Sequence, residues 1–179
     1  MKGIMFNTKY GLEQSVLKEL KTRTWRADKK PRYEVGEIVA IKQCYTDVMN
    51  YSFYNDKKLY DKVCNLMNEV GSTNKMFVKN ELMPHKIKIT KVTPCKLQDI
   101  TEDECMREGI DTYGIEEHYV YDDFNSYRYI DFIFNFPNSK KTGYPYRLMA
   151  FADLINKLNG KGYWESNPDG YAYEFELIK

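Results

Sequence analysis

Lys21 and Thr24 are the pair whose types and spacing could do chemistry, as activator and nucleophile. Lys21 opens and Thr24 sits within the run Lys21-Thr22-Arg23-Thr24-Trp25-Arg26, which holds three cations, two hydroxyls and an indole. A lysine becomes a useful base when burial or neighbouring positive charge lowers its pKa, and Arg23 and Arg26 supply that charge. If the preceding helix ran one turn past Leu20, amine and hydroxyl would face the same side. Glu108 is the third candidate, a carboxylate in the last turn of a later helix, against the negative end of the helix dipole. The same run also reads as a binding surface. Lys21, Arg23 and Arg26 would meet phosphate, and Trp25, or Trp164 near the far end, would stack on a base, a contact worth about 1–3 kcal/mol. Plainer readings stand beside these: a solvated basic loop, core tryptophans and an exposed glutamate.

The run lies where two elements meet. Leu12, Val16, Leu17 and Leu20 recur at helical spacing, with Asn7 or Thr8 as the cap, and residues 37–44 read as a strand entered through the turn 31–36. A first short strand is expected over 3–6. From 45 to 75 the composition turns to Asn, Asp, Lys and Tyr, with one helix over 56–68 stopped by Gly71, and this stretch reads as an insertion that covers an edge, narrows a cleft or merely decorates the surface. Residues 86–92 alternate as a half-buried strand. Thr101 and Glu104 form a capping box, Ile100 and Cys105 a staple and Gly109 a left-handed stop, which sets a helix over 102–108. A strand over 128–134, a helix from Pro145 to a stop at Gly160 and a strand over 171–177 complete the chain. Five or six strands with few helices indicate an α+β domain spanning 1–179, a small, mostly antiparallel β-barrel with flanking helices.

Composition narrows the partners. With 27 Lys and Arg against 26 Asp and Glu, the net charge is +1, so any nucleic-acid contact is local, as the cations clustered in the first third suggest. Sixteen tyrosines suit strands and half-wet surfaces. Cys44, Cys64, Cys95 and Cys105 lack metal-ligand spacing, and neither His85 nor His118 adjoins a second ligand, so no metal and no other cofactor is expected. No apolar run has the length of a membrane span and no signal-peptide core develops, which points to a cytoplasmic protein with reduced thiols and no membrane partner.

The assembled motifs resemble the ASCH domain, a branch of the PUA-like β-barrel superfamily. Its hallmark, written GRKTxTRR, corresponds to Glu19-Leu20-Lys21-Thr22-Arg23-Thr24-Trp25-Arg26, in which Lys21 and Arg26 match and Glu19 replaces the glycine. Tyr33-x-Val35-Gly36-Glu37-Ile38-Val39 is similar to the family's Y-x-V-G-D-x-V, LQDITEDECMREGI from Leu97 is similar to LQDITEEDAIAEGI, and NGKGYWESNPDGYAYEFEL from Asn159 resembles the closing loop and strand of phage and mobile-element members. The resemblance implies a PUA-like barrel with a cleft for RNA or a modified nucleotide. It implies, as one activity in the family, amide hydrolysis of N4-acylated cytidine, with Lys21 easing attack by Thr24 and Glu108 carrying the proton to the departing amine. The sequence ranks nucleotide or RNA binding first, amidohydrolysis second and a protein-interaction role in a phage or mobile-element system third.

Overall fold

The computed structural model describes residues 1–67, 71–121, 126–140 and 143–178, without the side chains of 112–132. The chain runs β1 (Gly3–Ile4), α1 (Leu12–Leu17), β2 (Arg23–Arg26), β3 (Ile38–Ile41), α2 (Tyr45–Asn55), α3 (Lys57–Cys64), β4 (Lys86–Lys96), α4 (Glu102–Arg107), β5 (Asp111–Tyr121), β6 (Ser126–Asn135), α5 (Arg147–Asn159) and β7 (Asp169–Ile178). Five strands form one mixed sheet in the order β1-β3-β4-β7-β2, while β5 and β6 pair as a separate antiparallel ribbon. Only β1 and β3 are parallel. The fold is therefore α+β. Backbone pairing does not close the sheet, and β1 and β2 are its edges.

Alternation in β4 explains the centre of the sheet. Ile87 and Ile89 are fully buried, and Lys88 and Thr90 point outward. A bulge between Ile89 and Lys91 shifts the register against β7 and lets the strand continue to Lys96, well past the expected end at Val92. The core joins Ile4, Val39, Ile41 and Phe175 of the sheet to Val16 of α1 and Phe151 of α5. Each such side chain contributes about 1.5–3 kcal/mol when fully buried.

Helix α1 is shorter than its apolar spacing suggests. It starts at an uncapped, left-handed Gly11, because Asn7 and Thr8 hold a separate turn through bonds from Leu12 and Gly11 to their carbonyls. It ends at Leu17, and Leu20 is exposed. Glu19 sets that end with φ of 60°, and the amides of Leu20 and Lys21 both fold back onto the Ser15 carbonyl. A non-glycine residue in the left-handed region costs about 1–2 kcal/mol. Glu19→Gly should therefore raise stability by about 1 kcal/mol in urea titration, after glycine's entropy is subtracted.

The capping box forms as expected. Glu104 N donates to Thr101 Oγ1 at 3.2 Å, and Thr101 N donates to the Glu104 carboxylate at 3.0 Å. Thr101→Ala should cost about 1 kcal/mol in the same titration.

Residues 45–75 hold two helices instead of one. Asp56 breaks the path between them with φ of −154° and caps α3 by accepting from Leu59 N. Helix α3 stops at Cys64, and the expected end at 68 lies outside the described residues. Tyr45, Val48 and Val63 of these helices pack with Ala40, Val78 and Met83 in a second core behind β3. Strand β6 contains the expected 128–134 segment, but which of its faces is buried over 128–132 lies outside the described side chains. Among the described residues no helix is long and apolar enough to cross a membrane.

Candidate functional site

Helix α4 ends in a way that leaves two carbonyls for β2. Ile110 N bonds to Cys105 O and Gly109 N to Met106 O, with Gly109 at φ of 97°, the paired bonds of a glycine-terminated helix. Thr22 N takes the Arg107 carbonyl at 2.9 Å, and Lys21 Nζ takes the Glu108 carbonyl at 2.7 Å. A lysine amine at the negative end of a helix is electrostatically favoured. These bonds tie the start of β2 to the end of α4.

The same amine reaches the side chain. Lys21 Nζ donates to Glu108 Oε2 at 2.6 Å, and Arg23 Nη1 donates to Glu108 Oε1 at 3.1 Å. Arg23 also approaches Glu104 at 3.5 Å. Lys21 and Glu108 are only 3% and 4% exposed, so this is a buried ion-pair cluster and not the solvated face that composition allows. Burial pushes the Lys21 amine below its ordinary value; Glu108 opposes that shift, and Arg26 and Arg23 add to it.

A cleft of about 470 Å³ opens beside the cluster. Its lining includes Lys21, Thr24, Arg26 and Glu108 together with Phe151, Leu154, Ile155 and Leu158 of α5. The Thr24 hydroxyl is held by none of the hydrogen bonds among the described residues. Competing nucleophiles are poorly placed. Burial pushes the Cys105 thiol up to about 12, and burial also raises Cys95.

Several expectations change in detail. Lys21 and Thr24 are not a helical pair, since residues 23–26 are extended; they share the cleft because Glu108 anchors the lysine. Arg23 does not line the cleft. Its guanidinium is spent on Glu108 and Glu104, and its Nε finds no partner among the described residues. Trp25 does line the cleft but is 8% exposed, with its indole N–H 3.5 Å from the Cys95 carbonyl. Trp164 packs edge-on against Phe151 at 5.9 Å and is absent from the cleft lining.

Two cations of the lining were not singled out from the sequence. Lys9 comes from the β1–α1 connection, and Lys75 from the end of the 45–75 stretch, where it is paired with buried Glu13. Among the described residues of that stretch Lys75 lines the cleft, while α2 and α3 pack in the second core. No local pattern marks either lysine, and the apolar stripe of α5 reads simply as core. Among the described residues no three His, Cys, Asp or Glu side chains gather as a metal site requires. His85 packs against Tyr51 at 4.5 Å, and burial lowers its pKa, while the His118 side chain lies outside the described residues. No protein-family model matches the chain, nor does any curated protein or solved structure.

Proposed function

We propose that the cleft binds a pyrimidine nucleoside or nucleotide with an acylated exocyclic amine, and that Lys21, Thr24 and Glu108 hydrolyse the amide. The observation that carries this reading is the buried Lys21–Glu108 pair lining the same cleft as the unengaged Thr24 hydroxyl. The likeness of residues 19–26 and 97–110 to ASCH sequences supports it, as does the α+β sheet. Arg26 Nη2 donates to the Met5 carbonyl at 2.6 Å and so links edge strand β2 to the end of β1, which favours a PUA-like barrel closed by side chains.

The chemistry balances within the three groups. Lys21 reacts from its neutral form, which burial makes easier to reach, and accepts the Thr24 proton while Oγ1 attacks the acyl carbon. The proton passes from Lys21 to Glu108, 2.6 Å away, and from there to the departing exocyclic amine as the amide C–N bond breaks. Water then attacks the Thr24 ester, Lys21 takes its proton, and the carboxylic acid leaves as Thr24 regains its hydroxyl. The apolar α5 wall excludes bulk water and leaves room for the planar base.

Rapid quenching with N4-acetylcytidine followed by peptide mapping tests the covalent step. An acyl ester on Thr24 is expected, and cytidine release with Thr24 never modified overturns the assignment of the nucleophile. Binding of RNA or nucleotide without turnover, the first reading from the sequence, is the outcome if cytidine is retained and no amide is cut.

A further inference from the structure

The charges around the cleft do not sum to zero, and the imbalance has a location. Lys21 is matched by Glu108 and Lys75 by Glu13. Lys9 and Arg26 also line the cleft, and neither has an ion-pair partner among the described residues. Arg26 spends one donor on the Met5 carbonyl, and the Lys9 ammonium lies 5.3 Å from the Tyr10 ring centroid. A guanidinium cannot shed its proton, so Arg26 faces the cleft as a permanent cation with donors to spare. Arg26 is half-buried and feels Glu108 and Asp28 only at a distance, so an anion in the cleft would favour it, while Lys9 is exposed and free to turn toward the same anion.

We infer that Lys9 and Arg26 form an anion subsite, and that the preferred ligand is a pyrimidine nucleotide bearing a terminal phosphate monoester. Two unmatched positive charges suit a monoester, which carries about −1.5 to −2 at neutral pH, better than the single charge of a backbone phosphodiester. Lys75 lines the same cleft but is already neutralised by Glu13, and it serves to shape the mouth. The inference rests on the amidohydrolase reading for the pyrimidine and is independent of it for the phosphate.

Two readouts separate them. Calorimetry with cytidine and cytidine 5′-monophosphate measures the subsite without catalysis. The monophosphate should bind at least about tenfold more tightly, the effect expected of one added charge-assisted hydrogen bond. That advantage should shrink with added salt and collapse in Lys9→Gln. A dinucleotide that offers only a phosphodiester should gain less. In parallel, kcat/KM is compared for N4-acetylcytidine and its 5′-monophosphate, and the ratio should fall in Lys9→Gln and in Arg26→Gln. Equal affinity for cytidine and its monophosphate, or an equal gain from the phosphodiester, overturns the subsite even if N4-acetylcytidine is cleaved. A Lys9-dependent monophosphate preference with no amide cleaved supports the subsite and removes the hydrolase reading. Circular dichroism of each variant establishes that a lost preference is not a lost fold.

Discussion

Glu108→Leu should lower stability by about 3–5 kcal/mol in urea denaturation, because it strips the shared acceptor from two buried cations. Lys21 Nζ and Arg23 Nη1 both donate to this carboxylate, and their side chains are only 2% and 4% exposed. Without Glu108 one charge has an escape: Lys21 can lose its proton. Arg23 has none and keeps only the half-exposed Glu104 at 3.5 Å. The loss should therefore be largest near neutral pH and smaller in alkali. A triple variant, Lys21→Met with Arg23→Met and Glu108→Leu, should recover most of it, since apolar replacement of a whole buried ion cluster is often neutral or stabilising. A Glu108→Leu protein within about 1 kcal/mol of the parent would mean that the cluster is wet and the three groups are not held together.

Lys21→Met should reduce turnover of an N4-acylcytidine by at least about 10²–10⁴-fold, the usual worth of a positioned general base. Lys21→Arg should not rescue it, because a guanidinium keeps the charge and cannot accept the Thr24 proton. For the parent protein, kcat/KM on N4-acetylcytidine should rise with pH and level off below 10.5, the ordinary lysine value, because burial depresses the Lys21 pKa. The stability linkage has a defined sign. Between the depressed folded value and 10.5 the unfolded chain binds more protons at Lys21 than the folded one, so stability rises with pH across that window. The contribution is complete above 10.5 and is lost as pH falls through the folded value. Subtracting the curve of Lys21→Met isolates it, and a difference that slopes downward in that window would contradict the assignment.

Much of the frame was legible where local chemistry and tertiary packing agree. The Thr101–Glu104 box, strand β7 and the helix between Pro145 and Gly160 form near the expected bounds, and β4 starts where its alternation does. Helix α2 was not legible, because in Tyr45–Asn55 only Tyr45, Val48 and Ser52 are buried and Phe53 and Tyr54 are exposed, which blurs the apolar spacing. Strand β5 was missed for a similar reason, as an acidic, tyrosine-rich segment whose pairing with β6 is not visible locally. Glu19 hid the end of α1, since only a glycine there would have announced a left-handed turn.

At the site, residue types were readable and directions were not. Lys21 and Glu108 share a cleft as expected, yet through a helix end that offers its last carbonyls to β2, which no spacing rule encodes. Arg23 carries the same charge as Arg26, but its guanidinium is taken up by Glu108 and Glu104 while Arg26 lines the cleft. Lys9 and Lys75 arrive from distant segments and could be found only once the chain was folded.

Steady-state turnover of N4-acetylcytidine, followed by chromatographic release of cytidine, bears most directly on the joint action of the three groups. Parent protein without added metal should release cytidine and acetate, and Lys21→Met, Thr24→Ala and Glu108→Gln should each abolish release while remaining folded. Parent protein that leaves N4-acetylcytidine and its 5′-monophosphate intact, or a Thr24→Ala protein that cleaves them at the parent rate, would contradict it.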